Sequence, residues 1–387
     1  MTQKIYLDNA ATTKVDEKVV KEMLPYFTEK FGNASSQHEI GQEAKNALEK
    51  SRKIISNAIN ANKTHEIIFT SGGTESNNFV LKGLYFWNQE NKTGKNHIIT
   101  TKIEHDCILK TCQWLEKQGA RITYLDVDSE GFVNPEDVRK SINEKTILVS
   151  VIHGNNEIGT IQDLEKIGKI CKEKKVLFHT DACQSFTKTN LDVKKMNLDL
   201  VTLNSHKIHG PKGVGALYIR EEIKIIPLMH GGGHEKKLRS GTENIPGIVG
   251  FAKAVDIASK KDVRRMFELR NKLIDGILKI PNTKLNGATG EKRLCNNVNV
   301  SFRNIEGESI GGYLENYGIY TSTGSACMSN TLESSHVLKA LGLGPLDANS
   351  SIRLSLSKFT TEEEINFVLE KLPQVVEKLR RISPLVK

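Results

Sequence analysis

The sequence predicts an α/β fold, a mostly parallel sheet covered by helices and followed by a smaller part that mixes helix and strand. Three observations carry this. Between about residues 60 and 220, short apolar runs alternate with helical stretches, the signature of strand–helix–strand units. The runs are largely unbroken by polar residues, as in strands buried on both faces. Beyond residue 245 helical spacing dominates, interrupted by two further strand-like runs.

Taken in order, Ile67–Thr70, His97–Thr101, Ile147–Ile152, Val176–His179 and Leu198–Leu203 read as strands. Asn77–Asn88, Asp106–Gln118 and Leu164–Lys174 read as helices between them, and Gly213–Ile219 as a late strand. Ile245–Leu278 is largely helical, with Val263, Met266, Leu269 and Leu273 at helical spacing. Strand-like Asn297–Phe302 and Ile352–Leu356 follow, then a closing helix from Thr361. Ile365, Val368, Leu369, Leu372, Val376 and Leu379 give that helix its apolar stripe, and Pro373 is expected to kink it. Thr360-Thr361 followed by three glutamates supplies a cap and acids at the positive end of its dipole. The N-terminal segment is expected to pack near the active site or the smaller part.

Composition narrows the function. The chain has 387 residues, 38% of them hydrophobic, enough for two or three domains. No run approaches the ~18 apolar residues of a membrane span, and the N-terminus lacks the apolar stretch of a signal peptide; a cytoplasmic location is expected. Six cysteines in this length do not make a disulfide scaffold, and none pair at zinc or iron–sulfur spacing; no metal is expected. The net charge of +9 is spread among glutamates, as in Glu43–Lys53 and Glu362–Arg381. That pattern fits solvated helix faces, and direct nucleic-acid binding is not expected.

The chemistry concentrates between His179 and Gly213. Asp181 and Gln184 follow the Val176–His179 run, and Asn204, His206 and Lys207 follow Leu198–Leu203. A carboxylate and a lysine at the carboxyl ends of two strands suit pyridoxal 5′-phosphate. That cofactor takes a lysine amine as a Schiff base and needs a carboxylate to keep its ring nitrogen protonated. Thr70-Ser71-Gly72-Gly73-Thr74-Glu75-Ser76-Asn77 passes from strand to helix, and its glycines and first-turn amides suit a phosphate. His105 lies just past His97–Thr101, where an imidazole could stack on a ring and move protons. Asn155-Asn156-Glu157 follows the Ile147–Ile152 run, and its amides could bind a ring oxygen or a substrate carboxylate.

Thr321 to Asn330 is almost entirely small and polar, with Cys327 inside it. A segment with so few apolar anchors is expected to be mobile, and its thiol is a candidate nucleophile. The other five cysteines read as packing residues, with Cys183 ambiguous between Asp181 and Gln184.

The motifs in order resemble the cysteine desulfurases, in the IscS/NifS branch of the fold-type I pyridoxal-phosphate enzymes. They run from Tyr6–Thr13 (Y-L-D-N-A-A-T-T) and Gly32–His38 (G-N-A-S-S-Q-H) through T-S-G-G-T-E-S-N-N, N-N-E-I-G, H-T-D-A-C-Q and S-H-K-I-H-G-P-K-G. His230–Glu235 (H-G-G-G-H-E), Arg239–Thr242 (R-S-G-T), T-G-S-A-C-M-S and Ser351–Glu364 complete the set.

The resemblance implies a large cofactor-binding domain over 15–260 with a mostly parallel sheet of the seven-stranded type. It implies a smaller α+β domain from 1–14 and 261–387 that carries the cysteine loop. Lys207 would carry the Schiff base, Asp181 would hold the pyridine nitrogen and Gln184 the ring hydroxyl, and His105 would stack and act as acid or base. Gly73, Thr74, Asn204 and His206 would surround the phosphate, with Thr242 reaching in from the second subunit of a homodimer. Asn156 and Arg353 would hold the substrate carboxylate. The implied reaction is L-cysteine to L-alanine, with Cys327 taking the sulfur as a persulfide. That sulfur would pass to an acceptor protein such as an iron–sulfur scaffold, or toward thiolation of tRNA or DNA. The competing readings are a selenocysteine lyase or other β-eliminating lyase on the same scaffold, and a non-catalytic assembly subunit. Asn204 stands where the family usually has serine, Ala34 where it has proline, and Ser357-Lys358 where it has Gly-Arg; none of these removes a catalytic group.

Overall fold

The computed structural model describes residues 4–323 and 334–384. Cys327, with most of the segment expected to be mobile, lies outside the described residues. A seven-stranded sheet runs in the order Ile67–Thr70, Gly215–Ile219, Leu200–Asn204, Leu177–Asp181, Thr146–Ser150, His97–Thr101, Arg121–Leu125. Pairing is parallel from Leu200–Asn204 across to Arg121–Leu125. Gly215–Ile219 is antiparallel to both its neighbours, so it alone runs against the rest. The carboxyl ends of the other strands therefore all reach one edge of the sheet.

Burial follows the side-chain alternation of a strand. Phe69, Ile99, Val149, Phe178, Val201 and Tyr218 join one core with Ile55 and Phe251. Their sequence neighbours Ile68, Ile98, Leu148, Leu200 and Leu217 join a second with Phe79, Leu84 and Leu115. Helices cover both faces, which is why these strands read as continuous apolar runs.

A three-stranded antiparallel sheet orders Ser351–Ser355, Asn297–Phe302 and Thr283–Leu285. Its core includes Leu273, Val300, Ile352 and Leu354, with Val368, Leu372 and Val376 from the closing helix. Ile5–Tyr6 pairs in parallel with Ile319–Tyr320, and Ile5 and Leu7 enter the same core. The closing helix spans Glu362–Ile382, opens on a Thr361/Glu364 capping box and continues through Pro373.

Several bounds differ from expectation. The Asn77–Asn88 helix starts earlier, at Gly73, because the glycine turn itself forms its first turn. The 245–278 stretch is two helices, Ile245–Asp256 and Lys260–Ile277, with the Ser259 side chain capping the second. Arg121–Leu125 and the Glu39–Ala58 helix, which no apolar run announced, complete the frame. No described helix is long and apolar enough to cross a membrane.

Candidate active site

The shared edge of the sheet opens into a cavity of about 320 Å³, within the range of small-molecule sites. It lies where ligands bind in open parallel sheets, outside the carboxyl ends of the strands. Gly73, Thr74, His105, Asn156, Asp181, Gln184, Asn204, His206, Lys207 and Arg353 all line it. A larger cavity of about 500 Å³ includes Val176, Leu177, Leu198 and Asp199, at the opposite ends of the same strands. It holds none of these groups, so the smaller cavity is the candidate.

Each wall follows from its strand. Asp181 is the last residue of Leu177–Asp181 and is buried. Its Oδ2 accepts from Asn77 Nδ2 at 2.7 Å and its Oδ1 from the Cys183 amide at 2.9 Å. Lys207 follows Leu200–Asn204, and its Nζ donates to the carbonyls of Ala11, at 2.6 Å, and Ala10. Gln184 Nε2 also donates to Ala10, at 2.8 Å. The N-terminal segment thus forms part of the wall. His206 Nδ1 lies 3.1 Å from Thr12 Oγ1. Burial, reinforced by Lys207, Lys212 and Lys188, pushes its pKa down to about 4 and keeps the ring neutral.

At the wall built by the glycine turn, Gly72 has φ 154° and ends the strand-to-helix turn. A Cβ on Gly73 would sit 2.6 Å from Cys183 Sγ; glycine is what lets the turn approach the floor of the cavity. The helix that starts there points its first amides along the same direction.

His105 caps the Asp106–Glu116 helix, and its Nδ1 accepts from the Cys107 amide at 3.2 Å. Glu104, beside it, is fully buried. Its Oε1 accepts from the Ile152 amide and the Thr101 hydroxyl, both at 2.8 Å. Burial pushes its pKa up to about 8, with Asp181 adding to the rise.

Arg353 comes from the three-stranded sheet. Its Nη2 donates to Asp8 Oδ1 at 2.8 Å and its Nη1 to the Asn156 carbonyl at 3.1 Å. The buried guanidinium is therefore oriented before any ligand arrives.

The donor set fits a phosphorylated, cationic-ring aldehyde such as pyridoxal 5′-phosphate: an amine, a buried carboxylate and a glycine turn around one cavity. Asn204 Oδ1 and Arg353 Nε are buried with no hydrogen-bond partner among the described residues, which leaves polar capacity for a ligand.

One expected residue, Thr242, does not line this cavity and is exposed. Cys327 lies outside the described residues. Three residues were read otherwise. Cys107 and Cys183, taken as packing or ambiguous, line the cavity, and Asn77, read only as part of the glycine-turn motif, bonds Asp181. Asn77 sits one helical turn beyond Gly73, which was the available signal; the placement of Cys107 depends on a helix cap and left none.

The sequence pattern of the class-V aminotransferase family matches residues 5–368. A protein of Methanosarcina thermophila named cysteine desulfurase IscS is 52% identical over 384 residues, covering 98% of this chain and 94% of its own. A Clostridium botulinum protein of the same name is 50% identical, covering 100% and 97%. Among solved structures, a NifS-like protein superposes with a TM-score of 0.90 at 40% identity, over 97% of this chain and 100% of its own. SspA in complex with cysteine gives 0.82 at 38% identity, over 93% and 100%.

Proposed function

Because the chain belongs to the class-V aminotransferase family and, within it, to the cysteine desulfurases, we propose that this cavity converts L-cysteine to L-alanine and leaves the sulfur on Cys327. The observation that carries the reading is the convergence of Lys207, Asp181, His105 and Arg353 on one cavity at the carboxyl edge of the sheet.

The residues present would hold pyridoxal 5′-phosphate in a defined sense. Asp181 would pair with the ring nitrogen, Gln184 with the ring hydroxyl, and His105 would stack on the ring. Gly73, Thr74, Asn204 and His206 would take the phosphate. When bound, the cofactor supplies an electron sink for the pair left when the substrate loses its α-proton.

The chain's own groups do the rest. Arg353 and Asn156 hold the substrate carboxylate, with Arg353 exchanging its Asp8 contact for it. Lys207, first available to the cofactor aldehyde, then removes the α-proton. The Cys327 thiolate attacks the substrate sulfur. A sulfur–sulfur bond forms as the carbon–sulfur bond breaks, the β-carbon gains a proton, and Lys207 returns a proton to the α-carbon, which completes alanine. The described residues flanking the Cys327 segment support this role. Ser322 exchanges backbone hydrogen bonds with Arg353, and His336 Nε2 bonds the Glu104 carbonyl at 2.9 Å. Both ends of that segment start beside the cavity.

The sulfur then goes to an acceptor protein, such as an iron–sulfur scaffold, in a cytoplasmic setting. We read the working unit as a homodimer, with Thr242 of each subunit completing the phosphate site of the other; its exposure outside its own cavity supports this.

The test is alanine formation from L-cysteine by purified protein supplied with the cofactor. Wild type forms alanine, and Lys207→Ala, still folded by circular dichroism, forms none and lacks the visible absorbance of the lysine-bound cofactor. Turnover in Lys207→Ala at the wild-type rate would overturn the assignment.

A further inference from the structure

The hydrogen bonds around Cys107 have a determined direction. Asn77 Nδ2 donates to Asp181 Oδ2 at 2.7 Å and to Cys107 Sγ at 3.1 Å. An amide oxygen turned toward a carboxylate would be repelled, so Asp181 fixes which way the Asn77 amide faces. Cys107 Sγ is therefore an acceptor from Asn77, and its own S–H is left to donate. Its partner is His105 Nδ1, at 3.0 Å. The Cys107 backbone amide, which can only donate, points at the same nitrogen from 3.2 Å. Nδ1 is thus an acceptor, and the neutral imidazole carries its proton on Nε2.

This arrangement constrains what His105 can do. A neutral imidazole that gives up its Nε2 proton without gaining another becomes an imidazolate, which is inaccessible near neutrality. The backbone amide cannot supply a replacement. The Cys107 thiol, in hydrogen-bond contact with Nδ1, carries a proton that it can transfer.

We propose that Cys107 and His105 form a proton relay in which the Cys107 thiol resupplies Nδ1 as Nε2 delivers a proton into the cavity. The inference rests on the desulfuration reading, whose sum requires a hydrogen at the β-carbon as sulfur departs. In the relay the Cys107 S–H bond breaks and an Nδ1–H bond forms, while the Nε2–H bond breaks and a C–H bond forms. The resulting thiolate accepts from Nδ1–H and from Asn77 Nδ2. The proton released in forming the Cys327 thiolate returns to Nε2 as Nδ1–H passes its proton back to the Cys107 sulfur, which restores the starting tautomer without an oxidant or reductant. Cys107 acts through His105 and is not itself a catalytic residue.

Two substitutions separate relay from packing. Cys107→Ala removes the thiol, and Cys107→Ser keeps a hydroxyl able to hydrogen-bond but a poor proton source at neutral pH. The relay predicts that both lower kcat for alanine formation about a hundredfold and leave KM within about twofold. A Cys107→Ser variant at the wild-type rate would reduce the thiol to positioning and overturn the relay. An independent readout uses the apoprotein, where Cys107 is half-buried on the cavity wall. Alkylation of Cys107 by iodoacetamide at neutral pH, followed by peptide mass, is expected to slow at least threefold in His105→Gln, because the imidazole no longer draws the thiol proton. An unchanged rate would overturn the coupling. Absence of alanine formation in the wild type would instead overturn the desulfuration reading, and the alkylation result would stand apart from it.

Discussion

Glu104 is a carboxyl group surrounded by protein and held at two donors. Its pKa lies near 8 in the fold, against about 4.5 for an unburied glutamate. Between those values the folded state keeps a proton that the unfolded state has lost. Stability associated with Glu104 is therefore fully present at the acid end of that window and declines as pH rises through it. Glu104→Gln, which cannot ionise, removes the decline. Urea unfolding of the apoproteins is expected to show wild type losing ground to the variant between about pH 5 and 8, by at most ~1.4 kcal/mol per pH unit. Parallel stability curves would contradict a buried protonated carboxyl. At this scale the sequence located the side chains that line the cavity. Asp181 ends a strand, Lys207 and His105 lie just past strand ends, and Arg353 is a charged residue inside a buried strand, and all four meet at one cavity. It was silent on the Ala10 and Ala11 carbonyls, since a backbone acceptor has no residue type to announce it. It misjudged Cys107, whose contact with His105 exists only because the imidazole caps a helix.

The Gly72-Gly73 turn shows what an element contributes beyond its side chains. The missing Cβ at Gly73 is the space Cys183 Sγ occupies. Gly73→Ala is therefore expected to weaken cofactor binding about tenfold, a small overpacking penalty transmitted to the phosphate turn. Adding Cys183→Ala removes the opposing sulfur and should restore most of the affinity in equilibrium dialysis. Loss that persists in the double variant would mean the turn tolerates no side chain for another reason. The buried strands were readable because both of their faces are covered, which makes apolar runs compulsory. Arg121–Leu125 escaped because it is an edge strand with most residues partly exposed. Glu39–Ala58 escaped because the charges of its outer face hide the inward line of Ala44, Ala47, Leu48 and Ile55.

For the whole molecule, the cavity lacks Thr242, and several large apolar side chains face solvent along one stretch: Leu24, Phe27, Phe31 and Ile40. These are the side chains that an association surface would cover, and a two-fold dimer is the commonest soluble oligomer. Sedimentation equilibrium is expected to show a dimer that Phe27→Asp with Phe31→Asp shifts toward monomer; an active wild-type monomer at assay concentration would contradict the shared site. The central claim is narrower and concerns where the sulfur goes. Protein loaded with cofactor, given L-cysteine without any reductant and then digested for peptide mass spectrometry, answers it directly. The account predicts that the Cys327 peptide becomes one sulfur atom heavier, with one alanine released per persulfide, and that Cys327→Ser forms none. Sulfide released at the wild-type rate by Cys327→Ser, with no added sulfur on any peptide, would contradict it and make the protein a lyase.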